Sequence, residues 1–316
     1  MKGIPVTYLL SGAKRVVYCF VTTGSLCVLS FNLDAQQEWG YTQYLFNLYD
    51  INSAYAGNHG AGSFGVRYRS QWIGMVGAPE TQYISFHSPL AGEKAGLGVK
   101  VLNENIGARS LTSAKVSGAY KVRFNQATLS FGLAGGIIRQ GVDATSIKAF
   151  DQNDVQLQNL PAQTLTPTID ASVFFNTNRF YAGIESGNIN RSKTSATEHS
   201  LSRLYYSVTT VCGYIHPLKH GSKVQLSGLM RLTENNLWQA ELNALYLVKS
   251  RLWFGGGYRF DSNAQVMACV SFSEQLRIGL SYDVSTTAIR KLNDGSAEVF
   301  LGFNFKNKSG KSIRYF

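Results

Sequence analysis

Several things are scarce in this 316-residue chain, and each scarcity narrows its class. After residue 35 no apolar run approaches the eighteen or so residues of a spanning helix, because polar residues interrupt every one. No long helical stripe is present either. Charged residues make up only 16%, which is low for a secreted soluble protein. Four cysteines are too few for a disulfide framework. Cys19 and Cys27 fall in the N-terminal segment; Cys212 and Cys269 lie in separate strand-like stretches, and sequence leaves their pairing open. No basic run is interleaved with aromatics on one face, so nothing points to nucleic acid as a partner. His59, His87, His199, His216 and His220 show no paired metal spacing, and no cofactor is expected.

What the chain does have is alternation. In Ala114-Lys115-Val116-Ser117-Gly118-Ala119-Tyr120-Lys121-Val122, one face carries Ala114, Val116, Gly118, Tyr120 and Val122. The other carries Lys115, Ser117, Ala119 and Lys121. Successive strand side chains point to opposite sides, so the pattern needs an apolar medium on one side and a wet one on the other. Repeated down the chain, it predicts an all-β, antiparallel transmembrane barrel of the outer-membrane type. A hydrophobic fraction of 44% is no objection, because alternation hides lipid exposure from window averages.

The first segment sets the compartment. Lys2, Lys14 and Arg15 precede Val16-Val17-Tyr18-Cys19-Phe20-Val21; a second apolar stretch, Leu26-Cys27-Val28-Leu29, follows. Leu33-Asp34-Ala35 then fits a cleavage site ahead of Gln36. An uncleaved anchor is the alternative, but Thr22, Thr23, Gly24, Ser25 and Ser30 interrupt the run. The expected organisation is a signal peptide over 1–35, a periplasmic arm or lumen plug over 36–62 and a barrel over 63–316. Without Lys2, Lys14, Arg15 and Asp34, 30 basic and 19 acidic residues become 27 and 18, so the formal charge falls from +11 to +9. That balance suits an acidic partner, lipopolysaccharide phosphates or an anionic solute, or simply a basic lumen and loop surface.

About fourteen strands are expected, with twelve or sixteen as alternatives. They begin with Phe64–Arg69, Thr81–Ser88, Leu97–Leu102, Thr112–Val122 and Leu129–Ile137. Thr168–Phe175, Phe180–Glu185, Tyr205–Ile215, Val224–Leu232 and Trp238–Val248 follow. The last four are Leu252–Phe260, Ala264–Phe272, Leu276–Tyr282 and Glu298–Phe305. With the first strand rising from the periplasm, every inner turn is short, and the longest gaps (140–166, 186–204 and 283–297) all fall outside. Outer-membrane barrels have this asymmetry. It places both termini on the periplasmic side. Trp72, Tyr83, Tyr120, Trp238, Trp253, Tyr258, Phe260 and Tyr282 sit near strand ends, as interfacial girdles would.

Residues 36–62 do not alternate; they are rich in aromatics and amides, which suits packing in a polar lumen. Here the chain resembles a known family. Gln43-Tyr44-Leu45-Phe46-Asn47, then Asn52-Ser53-Ala54-Tyr55-Ala56-Gly57, is similar to the opening of the mature PorP/SprF family. Those are membrane proteins of the type IX secretion system in Bacteroidetes. Tyr68-Arg69-Ser70-Gln71-Trp72-Ile73-Gly74, Gly77-Ala78-Pro79-Glu80-Thr81-Gln82 and Ser85-Phe86-His87-Ser88-Pro89-Leu90 resemble its second signature. The Arg314-Tyr315-Phe316 ending also matches. Leu45 stands where Met is expected, and Ser53 and Leu48 where Pro is common. The resemblance implies an outer-membrane, non-enzymatic component that works with the translocon and its motor. It implies a role in anchoring or exporting a cargo with a type IX C-terminal signal, such as an adhesin, and gliding motility in some members. Arg191, Lys193, Arg203, Arg290 and Lys291 in the outer loops are the candidate contacts to an acidic cargo domain. A passive or substrate-specific small-solute channel is the alternative.

Other patterns lead elsewhere and weaken on inspection. Gly60-Ala61-Gly62-Ser63-Phe64-Gly65 matches the dinucleotide fingerprint as a string but lacks the strand before and the helix after it. Ser309-Gly310-Lys311-Ser312 echoes a phosphate loop, with Phe305 where Gly is required. Ser85 and His87 share a strand face as a lipase dyad might, but residues two apart on a strand sit roughly 7 Å from each other. Asp151/Asp154 and Glu38/Asp50 read as solvated loop residues.

Overall fold

The computed structural model describes residues 40–90, 93–143, 163–191, 204–234 and 237–305. The expected signal peptide and the C-terminal Arg-Tyr-Phe lie outside them. The described residues form fourteen antiparallel strands. They are β1 (Ser63–Ser70), β2 (Glu80–Pro89), β3 (Ala95–Ile106), β4 (Arg109–Arg123), β5 (Ala127–Val142), β6 (Gln163–Thr177) and β7 (Phe180–Gly187). The second half comprises β8 (Ser207–Pro217), β9 (Lys223–Thr233), β10 (Trp238–Val248), β11 (Leu252–Arg259), β12 (Asn263–Ser271), β13 (Leu276–Ser285) and β14 (Ser296–Asn304). Each strand pairs with its neighbours in sequence, and β14 returns to β1 with Phe64 opposite Phe303 and Tyr68 opposite Val299. Closure leaves no unpaired edge, which is the only way a sheet can satisfy its backbone in lipid. Among the described residues no helix is long and apolar enough to cross a membrane.

Every expected strand is present, and several are longer than their alternation suggests. The β5–β6 ladder runs on to Gly141 opposite Gln163, because hairpin pairing continues past the last apolar residue. The second strand, whose faces were ambiguous in sequence, is resolved by its partners. Thr81, Tyr83, Ser85 and His87 point inward, while Gln82, Ile84 and Phe86 point outward.

The outward face is an apolar belt. Val99, Val116, Leu133, Leu226, Val266, Leu280 and Val299 are exposed on it, all suited to lipid. Tyr120, Tyr258, Phe260 and Tyr282 are exposed there too, as girdle residues should be. Tyr83 and Trp253 are not: both are buried inside, because their strand parity turns them to the lumen. Cys212 and Cys269 are both free thiols, so the open disulfide question closes against pairing.

The two mouths differ. Connections 90–94, 124–126, 178–179, 218–222, 249–251 and 272–275 are short and share one mouth. The other mouth carries every long connection, 71–79, 143–162, 188–206 and 286–295, together with three tight ones.

Candidate functional site

Residues 40–62 run through the middle of the barrel as three short 3₁₀ turns, Tyr44–Phe46, Leu48–Asp50 and Ser53–Tyr55. The last opens on Asn52, whose side-chain oxygen accepts from the Ala54 N–H at 3.0 Å. Turns of this kind follow from a sequence that offers neither period 2 nor period 3.6. They place aromatic and amide side chains all around the segment. Tyr49, Ala54, Tyr55 and Ala56 have no solvent exposure at all.

The segment travels from mouth to mouth. Gly40 lies against Arg259 and Gln239, at the long-loop ends of β11 and β10. Midway, the Tyr49 hydroxyl and Ser117 Oγ are 2.7 Å apart, and Asn52 donates to the Val173 and Ile184 carbonyls at 3.3 and 3.1 Å. Lower down, Asn58 donates to Asn176 at 3.2 Å, and the Phe305 N–H reaches the Gly62 carbonyl at 2.8 Å at the short-turn mouth. The described chain therefore enters at one mouth and ends at the other. The expectation that both termini share one side concerns chain ends that lie outside the described residues.

An ion-pair network anchors the upper part. The Glu298 carboxylate accepts from two successive backbone amides, Thr42 and Gln43, each at 3.0 Å. Arg67 Nε approaches the same carboxylate at 3.0 Å and Arg69 Nη1 at 3.2 Å. Arg67 also reaches Asp50 at 2.9 Å, and Arg69 reaches Asp283 at 2.6 Å. Thr42 Oγ1 donates to that same Asp283 at 2.8 Å. Two guanidinium groups and three carboxylates thus meet out of solvent, each in at least one ion pair; burial on this scale is tolerable only when each charge is paired and hydrogen-bonded. The Arg67 guanidinium further sits 4.9 Å from the Tyr41 ring and 5.4 Å from Phe300.

The lower grip is of a different kind. The Gly57 N–H donates to His87 Nδ1 at 3.0 Å, and Lys121 Nζ donates to the Gly57 carbonyl at 2.5 Å. Ser53 N–H donates to Glu185 at 2.5 Å. Space here depends on glycine: a Cβ on Gly96 would run into the Ala56 carbonyl, and one on Gly132 would lie 2.5 Å from the Ala54 nitrogen.

The residues of the family resemblance fall into two groups. Gln43, Phe46, Asn47, Asn52, Ala54, Tyr55, Ala56 and Gly57 are all buried in the lumen segment, and Thr81, Ser85 and His87 face them from β2. Pro89 and Leu90 close the short-turn end. Gln71, Trp72, Gly74, Gly77, Ala78 and Pro79 instead build the β1–β2 loop at the other mouth. There Gln71 N–H meets the Pro79 carbonyl at 2.9 Å, Ile73 N–H the Gly295 carbonyl at 2.8 Å, and Gly107 N–H the Gly77 carbonyl at 2.9 Å. Three loops are thereby stitched together. Gln82 faces outward.

Ser85 and His87 serve separate partners. Ser85 Oγ donates to Asp50 at 2.9 Å and accepts from Asn47 at 3.0 Å, whereas His87 holds Gly57. Asp50 is the clearest correction: it is a buried member of the charge network, where sequence suggested a solvated loop carboxylate. Glu38, Asp151 and Asp154 lie outside the described residues. Among the described residues no group of three or more His, Cys, Asp or Glu is placed to hold a metal ion. Arg191, Arg290 and Lys291 are exposed at the long-loop mouth, but β7–β8 and β13–β14 are nearly half the circumference apart. The structure does not bring these cations together; Lys193 and Arg203 lie outside the described residues.

Sequence reasoning missed Arg67, Arg69, Asp283 and Glu298 as a unit. The available signal was their position on the inward parity of β1, β13 and β14, where a charge is retained only against a partner.

The comparisons agree with this architecture. No curated protein matches the chain. Among solved structures, the Ralstonia pickettii toluene transporter TbuX superposes with a TM-score of 0.51 at 10% identity, over 84% of this chain and 94% of that one. The P. putida toluene transporter TodX gives 0.49 at 9% identity, over 84% and 95%. The Acinetobacter baumannii outer membrane protein Omp33 gives 0.45 at 10%, over 78% and 99%. At such identity the likeness to TbuX is one of fold: an outer-membrane barrel. The family model for the type IX secretion system membrane protein PorP/SprF matches residues 33–303, which takes in both signatures and nearly the whole barrel. The chain belongs to the PorP/SprF family, membrane components of the type IX secretion system.

Proposed function

We propose that this protein is a non-enzymatic, non-conducting component of the type IX system, closed by residues 40–62. In this reading it anchors, or assists the export of, a cargo protein bearing a type IX C-terminal signal, such as a cell-surface adhesin. The observation that carries the reading is the filled interior: buried turns of the segment occupy the barrel from Arg259 at one mouth to Phe305 at the other. A barrel without a free bore acts through its rims. Its partners are then cargo on one side, translocon or motor components on the other, and outer-membrane lipid around the belt. Short turns face the periplasm, as in bacterial outer-membrane barrels generally, so the C-terminal end of β14 is periplasmic. Exposed Arg191, Arg290 and Lys291, with Lys193 and Arg203 in the same loops, suit an acidic cargo surface, steering its approach more than fixing its affinity. A link to gliding follows where the cargo is a motility adhesin.

Deleting the gene tests this directly. At least one C-terminally tagged protein should be lost from the cell surface and appear in the medium or accumulate in the periplasm. Normal secretion and attachment of every tagged protein would sink the proposal. The likeness to TbuX, described as a toluene transporter, favours a second reading as a solute channel. Planar-bilayer recordings separate the two. The intact protein should be silent and a variant lacking residues 40–61 should conduct, whereas a channel conducts with the segment in place.

A further inference from the structure

The two mouths treat their cations differently. Toward the long-loop end the inward cations are paired where they stand, Arg67 and Arg69 with Asp50, Asp283 and Glu298, and Arg259 with Glu241 at 2.7 Å. At the short-turn end five successive turns each set a cation at the mouth: Lys94, Arg123, Arg179, Lys223 and Arg251. Strand parity fixes which way these side chains go, because alternate residues face opposite sides. Arg123 ends β4 two residues beyond buried Lys121, and Lys223 opens β9 two residues before buried Gln225. Lys94, Arg179 and Arg251 lie just outside β3, β7 and β11, yet the backbone ladder runs on through them. Their carbonyls accept from the N–H groups of Lys121, Ile215 and Ser271 at 2.7, 2.7 and 2.8 Å. Each therefore continues the inward row of Gly96, Tyr181 or Trp253. All but half-buried Lys223 are exposed. Among the described residues, only Arg123 of the five has a carboxylate partner, Glu93 at 2.8 Å. Lys249 adds a charge at φ 45°, in left-handed backbone that a lysine adopts at a cost. Ser250 beside it ties this turn to the Gly221 carbonyl of the β8–β9 turn at 3.2 Å.

We infer that this crown of cations docks the acidic face of another protein of the secretion apparatus, on the reading above that such components meet the short-turn mouth. Geometry selects a protein over other anions. Lipid headgroups surround the belt, and the outward row at this level is apolar: Val122, Leu252 and Phe272 are exposed there, on the parity that the crown does not share. A small anion cannot span the site. Successive short turns are two strands, about 10 Å, apart, and the row from the β2–β3 turn to the β10–β11 turn covers roughly 40 Å of rim. An ion seated on one turn leaves the next untouched, whereas a protein surface bearing several carboxylates meets many at once. The arc also stops short of the β14–β1 seam, where the Phe305 N–H holds the Gly62 carbonyl. A partner seated on the crown therefore does not compete with the lumen segment for its anchor. Exposed charges of this kind steer and orient a partner, and salt weakens them.

Binding is measured on the full-length protein in phosphatidylcholine nanodiscs, with fluorescent poly-L-glutamate as the probe. The crown variant carries Lys94→Gln, Arg179→Gln, Lys223→Gln and Arg251→Gln, which keep most of each stem. Arg290→Gln with Lys291→Gln controls for charge at the other mouth, and heat modifiability on gels checks that each variant is a folded barrel. The wild-type protein should bind saturably and lose the probe as salt rises. The crown variant should bind at least about tenfold more weakly, and the control should change less than about twofold. Equal losses in both variants, no loss in the crown variant, or salt-insensitive binding by the wild-type protein would overturn the crown as a site. Displacement of the probe by millimolar inorganic phosphate at constant ionic strength would show a small-anion site instead. Loss of wild-type binding in phosphatidylglycerol nanodiscs would show a headgroup site; either result overturns the protein partner. In cells, the folded crown variant should release severalfold less C-terminally tagged protein than wild type, and unchanged release would sever the crown from the apparatus. Probe binding does not depend on secretion, so its failure and an absent deletion phenotype are distinguishable.

Discussion

Along β14 the outward residues Val299 and Leu301 and the inward residues Glu298 and Phe300 alternate one by one, yet the two sets answer to different requirements. Val299 and Leu301 meet lipid, a partner without shape or direction, and any apolar side chain of β-compatible form meets the need. Glu298 meets two backbone amides and two guanidinium groups at defined positions, and Phe300 lies 5.4 Å from the Arg67 guanidinium. The outer face is specified by composition and the inner face by complementarity. A polar interior of this kind costs stability unless it is complete, because each unpaired charge is stranded in a place water cannot reach.

Breaking the inner face should therefore have the largest effect. Glu298→Ala removes the shared partner of Arg67, Arg69, Thr42 and Gln43, and loss of one member of such a buried pair costs about 3–5 kcal/mol. The heat-modifiable band of the folded barrel on gels should collapse at lower temperature, and residues 40–62 should become open to protease. Val299→Ala, one residue away, is the control; an equal loss there would contradict the contrast between the faces. The outer face has its own sharp limit. Leu280→Arg, near the middle of β13, should cost about 2–4 kcal/mol because it sets a charge against hydrocarbon. Leu280→Ile should leave the same unfolding curve almost unmoved.

A smaller effect is expected from Gly96→Val, whose side chain would overlap the Ala56 carbonyl. Overpacking of this sort costs about 1–3 kcal/mol, here paid by the lower end of the segment. Its signature is exchange of the Ala56 and Gly57 amides measured by mass spectrometry, with the strand amides still protected. Smallest of all in stability should be Arg290→Glu with Lys291→Glu, since exposed substitutions usually fall within about 0.5 kcal/mol. If these cations steer cargo, surface retention of the tagged protein should nonetheless drop; unchanged retention would remove them from the cargo surface.

How much of this was legible before the structure depends on which physical rule governs each part. Every strand could be found because period-2 alternation is local. Lys115, Val116 and Ser117 reveal their faces without reference to anything distant. The mouths could be told apart because loop length is counted along the chain. Tyr83 and Trp253 were misplaced because an aromatic near a strand end reads as a girdle residue until its parity is set by pairing. Asp50 looked solvated because nothing adjacent to it in sequence could neutralise it; its partner, Arg67, is carried by another element.

The amino-acid sequence alone determined the alternating strands, the closed antiparallel architecture and the family, since these rest on local periodicity and on contiguous signatures. Only the tertiary structure decided what fills the barrel, which charges neutralise which, and the direction in which residues 40–62 run. Those depend on contacts between elements up to 256 positions apart, as between Thr42 and Glu298, and no short-range pattern encodes them.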